Sequence, residues 1–434
     1  EIENSEFILS PTLLYGTIGV TFFWAALYII SGNYIEVRRV SRLNELFKTI
    51  TQSIIGCLII FFCLIIDDIE NYTTYTLYYQ ALIALIGIHF FITFLARYFA
   101  TNSMVKKIQN KQVTFRTILI GDTESIINTY QSIENMIKST GNELIGYIHY
   151  NNETIPDTNL KNLGKVNQLE TIIKQQHIEE AIISFKKHQL ETHIQIVNML
   201  IYNNIITKIP SNISDLLAGR VKMKSFFDLP FIEIKQIKML FIESFFKRIM
   251  DVLISLIALI ILSPLLSIIA LVVKLTSRGP ILYYQERLGI HAKPFSIIKF
   301  RSMKINAEKN TPLLASKNDT RITSWGKIMR KYRLDELPQF YNVLIGEMSI
   351  IGPRPERLFF ANQIIKKAPH YKLIYKVKPG ITSWGMVKFG YAENIEEMIE
   401  RLKYDIIYLE NLSLISDFKV FILTIFIIIQ GRGK

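Results

Sequence analysis

Cysteine is nearly absent from this 434-residue chain. Its two copies, Cys57 and Cys63, sit six residues apart in one apolar stretch, a spacing that turns them to different faces of a helix. Neither a disulfide framework nor a cysteine zinc site fits that pattern. Histidine is scarce as well: His291 and His370 stand alone in the last third, and no Ser-His-Asp or Cys-His arrangement is legible beside them. The sequence shows no internal repeat and no low-complexity tract, which argues against a repeat array. Acids are outnumbered: 37 Asp and Glu face 50 Lys and Arg, a net charge of +13.

Apolar residues make up 50% of the chain, and mean hydropathy is +0.25. That is too oily for an ordinary soluble enzyme and too charged for a pure transporter, so a membrane protein with a basic aqueous part is expected. Such a charge suits nucleic acid, anionic lipid or a polyphosphate substrate. With several apolar spans present, the last two are favoured and no nucleic acid is expected.

Residues 13–30, 46–66 and 77–99 are apolar over nearly the length that a helix needs to cross the hydrocarbon core. The first is followed by Arg38, Arg39 and Arg42, the second by Asp67, Asp68 and Glu70, and the third by Lys106, Lys107, Lys111 and Arg116. By the positive-inside rule the first and third flanks are cytoplasmic and the N-terminal EIENSEFILS starts outside. Because residue 1 is Glu, a cleaved signal sequence or, preferably, a further helix is expected upstream.

From Phe115 the texture changes. FRTILIG, ELIGYIHY and EEAIISF read as buried strands, with helical stretches IINTYQSIENMIK and IQIVNMLIYNNI between and after them. The alternation predicts a parallel, doubly wound sheet over 112–235. Where a dinucleotide-binding turn would carry its glycines, the chain reads Gly121-Asp122-Thr123-Glu124-Ser125, and Glu124 would repel phosphate. A structural or regulatory module is the reading, not a cofactor site.

Residues 247–280 form the longest apolar run, preceded by Lys247 and Arg248 and followed by Lys274 and Arg278. Charge places both ends in the cytoplasm, which a spanning helix cannot satisfy. Ser263 and Pro264 lie at its middle, where proline removes a backbone donor and serine can satisfy a freed carbonyl. A re-entrant hairpin is favoured, with a proline-kinked spanning helix as the alternative. A second short apolar run, 420–429, is followed by Arg432 and Lys434; it is too short to span and reads as a buried or interfacial element.

Three blocks in the last third gather cations around fixed backbone: Gln285, Arg287, Lys293, Lys299 and Arg301; Arg330, Arg333, Asp335, Glu336 and Gln339; and Arg354, Glu356 and Arg357. Arginine forks suit phosphate oxygens, so the blocks together predict a diphosphate site. The adjacent acids have two readings. Since neighbouring residues on a helix point about 100° apart, they cannot flank one bond; one acid would attack phosphorus while the other holds Mg²⁺ or orients the first. Otherwise both sit in the first turn of a helix announced by Pro338 and complement its dipole. Trp325 and Trp384, each after a Thr-Ser pair, read as core packing before interfacial anchoring or base stacking.

KRIMDVLISLIALIILSPLL, YQERLGIHAKPFSIIKFRSM, RLDELPQFYNVLIGEMSIIGPRPE and KPGITSWG closely resemble bacterial sugar transferases of the polyprenol-phosphate phosphoglycosyltransferase family, from Lys247 to the end. The upstream helices and degenerate α/β module resemble its large membrane-anchored branch, whose members usually carry four N-terminal helices. The resemblance implies an enzyme with membrane helices over 1–100, a Rossmann-like α/β domain over 112–235, and a mainly α catalytic domain over 245–434 containing a re-entrant helix at 247–274. Asp335 matches the nucleophile and Glu336 its Mg²⁺-associated partner, the two forming the metal site. Lys299, Arg301 and Arg354 match basic positions assigned to phosphate, joined in the second and first blocks by Arg333 and Arg287. Ser263-Pro264 matches the membrane break.

The implied partners are a nucleotide sugar, with UDP the expected nucleotide, polyprenol phosphate and the lipid bilayer. The implied place is the cytoplasmic face of the bacterial inner membrane, in exopolysaccharide, capsule or O-antigen assembly; the sugar and the oligomeric state, a homodimer among its options, stay open. Where the family often has Thr-Gly-Trp-Ala-Gln-Val, this chain has Thr382-Ser383-Trp384-Gly385-Met386-Val387, so Met386 replaces a polar side chain. Direct transfer without a covalent intermediate, and a membrane scaffold with an inactive transferase domain, remain the alternatives.

Overall fold

The computed structural model describes residues 11–34, 38, 42–65, 75–135, 139–150, 155, 160–184, 190–210, 231–234, 236–305, 307, 312 and 319–430. Segment 1–10, Arg39, the acidic flank Asp67, Asp68 and Glu70, and the terminal Arg432 and Lys434, all used above for topology, lie outside the described residues. The chain divides into two compact units: 1–185 with 208–232, and 186–207 with 233–434.

Three apolar helices open the first unit: α1 (Pro11–Ile30), α2 (Arg42–Ile60), which runs into a π-turn at Phe61–Ile65, and α3 (Tyr75–Gln109). The last continues well past residue 99, because Lys106, Lys107 and Gln109 propagate a helix as readily as apolar residues do. Among the described residues, Arg42–Cys63 and Tyr78–Gln109 have the length and hydropathy to cross a membrane, and Leu14–Ile30 is a shorter apolar helix. The chain is a membrane protein.

A polar ladder joins these helices. The Arg97 guanidinium on α3 donates to Thr49 Oγ1 (3.1 Å) and Gln52 Oε1 (2.9 Å) on α2, pairs with Glu45 at 3.7 Å and lies 4.7 Å from the centroid of Tyr28 on α1. Two turns further into the bundle, His89 bridges the Tyr28 hydroxyl and Ser53 Oγ, 3.0 Å from each, and its ring stacks on Trp24 at 3.7 Å. In a lipid environment such groups must find partners within the protein, so the ladder fixes the helix pairing. Gly56 makes room for it: a Cβ there would meet the Trp24 ring at 2.3 Å.

Beyond α3 the first unit becomes an α/β layer: β1 (Phe115–Gly121), α4 (Thr123–Glu134), β2 (Asn142–His149), β3 (Lys161–Asn162), α5 (Leu169–Gln175) and β4 (Glu180–Ser184). With β5 (Ile206–Pro210) and β6 (Phe231–Glu233) the sheet orders as β3-β2-β1-β4-β5-β6, and β1 pairs in parallel with both β2 and β4. The three expected strands fall where alternation and apolar runs placed them. At the β1 turn, Asp122 caps α4 by accepting from Ser125 N at 3.0 Å, so a carboxylate stands where free amides would have to meet a phosphate.

The second unit begins with α6 (Leu190–Tyr202) and continues through α7 (Phe241–Ile261), α8 (Ser263–Thr276), the antiparallel hairpin β7 (Leu282–Leu288) and β8 (Pro294–Phe300), α9 (Ser324–Lys331) and α10 (Gln339–Ile345). Strand β9 (Ser349–Ile351) pairs in parallel with β10 (Gly380–Thr382) across α11 (Leu358–Lys367). Three helices close the chain: α12 (Trp384–Lys388), α13 (Ile395–Glu410) and α14 (Leu414–Ile429). The main core gathers Val343, Met348, Phe360, Ile364, Leu402 and Val420, with Trp384 packed against it, while Trp325 packs on Ile269, Val273, Phe300 and Met329. Both tryptophans are partly buried and pack against a core cluster.

Helices α7 and α8 are bent by 62° at Leu262. Pro264 lies in the first turn of α8, where its missing N–H costs nothing, and Ser263 Oγ donates to the Ile260 carbonyl at 2.8 Å. The start of α7 is anchored. Lys247 Nζ reaches Asp417 (2.5 Å) and the Ile351 carbonyl (2.9 Å), while Arg248 donates to the Val343 and Leu344 carbonyls at the end of α10. Asp251 is buried and accepts from Ile350 N at 3.0 Å. Past Asp251 many large apolar side chains are exposed, among them Leu253, Ile257, Ile260, Ile268, Leu271 and Leu275, while Ile269 and Val273 are buried.

The terminal element is longer than the run 420–429 that marks it. Helix α14 starts at Leu414, capped by Ser413 Oγ accepting from Ser416 N at 3.2 Å. Ser416, Asp417 and Lys419 interrupt the apolar pattern, yet Asp417 is used on the packed face, where it takes Lys247 and the Tyr408 hydroxyl (2.6 Å).

Candidate active site

The acid pair does not cap α10. Asp335 and Glu336 lie on a 3-10 turn, Leu334–Glu336, and α10 starts after Pro338 with no side-chain cap bond. The turn follows Arg333, whose backbone is left-handed at φ 54°, ψ 26°. A residue with a Cβ pays roughly 1–2 kcal/mol for that conformation, and such strain clusters at functional sites.

Glu336 spends both oxygens on cations from three different segments. Lys299 Nζ on β8 is 2.8 Å from Oε1, Arg354 Nη2 is 3.6 Å from the same oxygen, and Arg333 Nη1 is 3.5 Å from Oε2. Burial would raise the Glu336 carboxyl, but Lys299, Arg354 and Arg333 outweigh it and hold the group well below the usual carboxylate range. Asp335 is also buried, and among the described residues it makes no ion pair. Burial pushes its carboxyl up, the neighbouring Glu336 charge adds to this, and Lys299 and Arg330 offset part of it. Adjacent acids thus end with opposite shifts.

Two braces hold this arrangement. Asn342 on α10 accepts from Ile298 N at 3.1 Å and donates to the Ser296 carbonyl and to Glu347, both at 2.8 Å, tying the strand of Lys299 to the helix behind the acids. The loop carrying Arg354 is fixed by Pro353 and Pro355 and by Glu356, which is 3% exposed and takes Arg287 (2.9 Å) and Arg401 (2.7 Å). Burial would raise Glu356; Arg401, Arg287 and Arg354 more than reverse that and hold it low.

Of the cations predicted for phosphate, Lys299, Arg333 and Arg354 meet at Glu336, whereas Arg287 and Arg301 are placed elsewhere. Arg287 spends its guanidinium on Glu356, Gln285 and the Pro355 carbonyl. Arg301 closes the end of α8, donating to the Ser277 and Arg278 carbonyls and to Ser277 Oγ, each at 2.7 Å. Gly279 is needed for that contact, because a Cβ there would lie 1.9 Å from Arg301 Nη1, and its φ is +122°. Sequence reasoning missed Tyr391. Its ring lies under Arg354 and Arg333, with guanidinium carbons 5.2 and 5.6 Å from its centroid, and no spacing or motif signals it.

Three cations from separate segments meet on one carboxylate, so even with Asp335 ionised the cluster carries excess positive charge among largely buried side chains. That favours a polyanion, and diphosphate oxygens match the two arginine forks. Among the described residues, no group of three or more His, Cys, Asp or Glu gathers as a metal cage.

Residues 242–431 match the family model described as bacterial sugar transferase. A UDP-N-acetylgalactosamine-undecaprenyl-phosphate N-acetylgalactosaminephosphotransferase of Aeromonas hydrophila is 40% identical over 51% of this chain and 52% of its own length. A UDP-glucose:undecaprenyl-phosphate glucose-1-phosphate transferase of Klebsiella pneumoniae is 42% identical over 43% of this chain and 40% of its own. The chain thus spans about half or less of the length of these two relatives. Exopolysaccharide production protein PSS of Rhizobium leguminosarum bv. phaseoli is 34% identical over 43% of this chain and 97% of its own length. This chain belongs to the bacterial sugar transferase family.

Proposed function

We propose that the chain transfers a sugar phosphate from a nucleoside diphosphate sugar to undecaprenyl phosphate, an early membrane step of polysaccharide assembly. The activities named for the Aeromonas and Klebsiella relatives support UDP as the nucleotide and undecaprenyl phosphate as the acceptor. The observation that carries the reading is the buried Asp335-Glu336 pair, with Glu336 neutralised by Lys299, Arg333 and Arg354 and Asp335 without an ion partner among the described residues.

In the first step an Asp335 oxygen attacks the sugar-bearing phosphorus, the bond to the bridging oxygen breaks, and nucleoside monophosphate leaves with that oxygen and its electron pair. Poor solvation sharpens the carboxylate as a nucleophile, while Arg333, Arg354 and Lys299 stabilise the phosphoryl charge. In the second step a phosphate oxygen of the polyprenol attacks the same phosphorus and Asp335 departs as carboxylate, leaving polyprenyl-diphosphate sugar. Glu336 holds the three cations in register throughout. Of the two acids proposed for Mg²⁺, Asp335 has no ion pair among the described residues and would hold the ion with phosphate oxygens, whereas both Glu336 oxygens already face cations; the ion would neutralise charge on the diphosphate.

The bent pair α7–α8 fits a re-entrant hairpin. About ten residues separate Asp251 from the break, roughly 15 Å of helix against a hydrocarbon core of roughly 30 Å. On this reading residues 245–434 form the catalytic domain on the cytoplasmic face of the bacterial inner membrane, with residues 1–100 as its membrane anchor. The sheet of 112–235 is then a Rossmann-like module, and the Asp122 carboxylate at its first turn supports a structural or regulatory role.

Monophosphate release from a panel of UDP sugars, with undecaprenyl phosphate and Mg²⁺ supplied, tests the reading. Wild type should release UMP with at least one sugar and Asp335→Asn with none. Turnover by Asp335→Asn would end the proposal.

A further inference from the structure

Arg333 and Arg354 are like charges that both approach one carboxylate, and neither forms a close ion pair with it: 3.5 and 3.6 Å, against 2.8 Å for Lys299. Their other shared neighbour is the Tyr391 ring. Arg354 has two further contacts on that side, with Nη1 3.3 Å from the Met386 sulfur and Nη2 3.5 Å from the Tyr391 hydroxyl. A thioether and an aromatic face hold a guanidinium by polarisation and quadrupole, without neutralising it. An amide or acid at these places would instead occupy the N–H groups.

We propose that Tyr391, with Met386, is a positioning clamp that holds Arg333 and Arg354 together with their charge uncommitted, ready for the diphosphate of the donor. The clamp rests on the diphosphate reading of the site. Two guanidinium groups on one small anion repel each other before substrate arrives, and without the ring they would turn apart toward water. Ordering them would then be paid from substrate binding. Two half-buried cation–π contacts correspond to a loss of about tenfold in affinity, or about 1.4 kcal/mol. The ring and not the hydroxyl carries the effect, because both guanidinium groups lie over the face.

The test measures binding of inorganic pyrophosphate to the purified 434-residue chain in detergent, with UMP release followed in parallel. Tyr391→Leu should bind pyrophosphate about tenfold more weakly and raise KM for the nucleotide sugar more than it lowers kcat. Tyr391→Phe should recover most of both, and Met386→Gln should weaken binding by engaging Arg354. Equal losses in Tyr391→Leu and Tyr391→Phe, or wild-type affinity in Tyr391→Leu, overturn the clamp. Thermal melting of each variant separates a folding defect from a lost clamp, since the clamp predicts weaker pyrophosphate binding in a variant that is fully folded at the assay temperature. If wild type releases no UMP while Tyr391→Leu still loses pyrophosphate, the transfer reading fails and the clamp stands; if wild type binds no pyrophosphate, both fall.

Discussion

Replacing Glu336 by Gln removes a carboxylate on which Lys299, Arg333 and Arg354 converge while keeping its shape. Lys299, Arg333 and Arg354 have side chains 14%, 15% and 13% exposed, so water screens them only slightly once the anion is gone. Breaking a buried pair from one side costs about 3–5 kcal/mol, and the long 3.5 and 3.6 Å contacts to the arginines place this case near the lower figure. For a unit of this size roughly 3 kcal/mol is a drop in Tm of about 6–12 °C. The loss has a pH signature. Glu336 is held below its unfolded value, so its stabilisation is full above the ordinary carboxylate range and disappears as pH falls through the folded value. Melting curves of wild type and Glu336→Gln should therefore lie furthest apart near pH 7 and converge in acid. Added pyrophosphate should restore more stability to the variant than to wild type, because it supplies the missing negative charge. A Tm within about 2 °C of wild type at pH 7 would refute the charge balance on which the site is built.

Three further outcomes are expected. On the proposed mechanism Asp335 reacts as carboxylate, and its carboxyl is pushed up, chiefly by burial, so the rate should fall as pH drops through a value above the ordinary carboxylate range; a pH–rate profile flat to pH 4 would contradict this. Arg301→Ala removes three hydrogen bonds that close α8 and should lower Tm by several degrees, with a smaller change in KM for the nucleotide sugar; the reverse pattern would return Arg301 to the phosphate site. Single cysteines at Glu243 and Lys274, in a chain with Cys57 and Cys63 replaced by Ser, should react with an impermeant maleimide from the same side of the membrane, and labelling from opposite sides would remove the hairpin.

Local pattern carried much of the fold. The apolar stretches, the strands at Phe115–Gly121 and Glu180–Ser184, and the break at Pro264 are all written in runs of a few residues, where periodicity and proline chemistry act directly. The site was legible in part. The motifs marked Glu336, Lys299 and Arg354, which the fold brings together, and equally Arg287 and Arg301, which the folded chain uses to fasten Glu356 and the end of α8. An arginine in a basic block reads alike in sequence whether it will pair with Glu336 or close a helix end; only its distance to Glu336 or to Ser277 separates the two. Tyr391 and the Trp24–His89 stack depend on contacts between distant segments, and nothing local announces them. The extra turns of α14 were hidden because Asp417 looks like a solvated break until Lys247 and Tyr408 are placed beside it.

The central claim is that Asp335 carries the sugar phosphate between donor and lipid. Its most direct test is the intact mass of the purified chain after incubation with a UDP sugar and Mg²⁺ in the absence of polyprenol phosphate. The account predicts an adduct of one sugar phosphate on Asp335, equimolar UMP, and discharge of the adduct when polyprenol phosphate is added. UMP that forms only when polyprenol phosphate is present, with no adduct at any time, would contradict it.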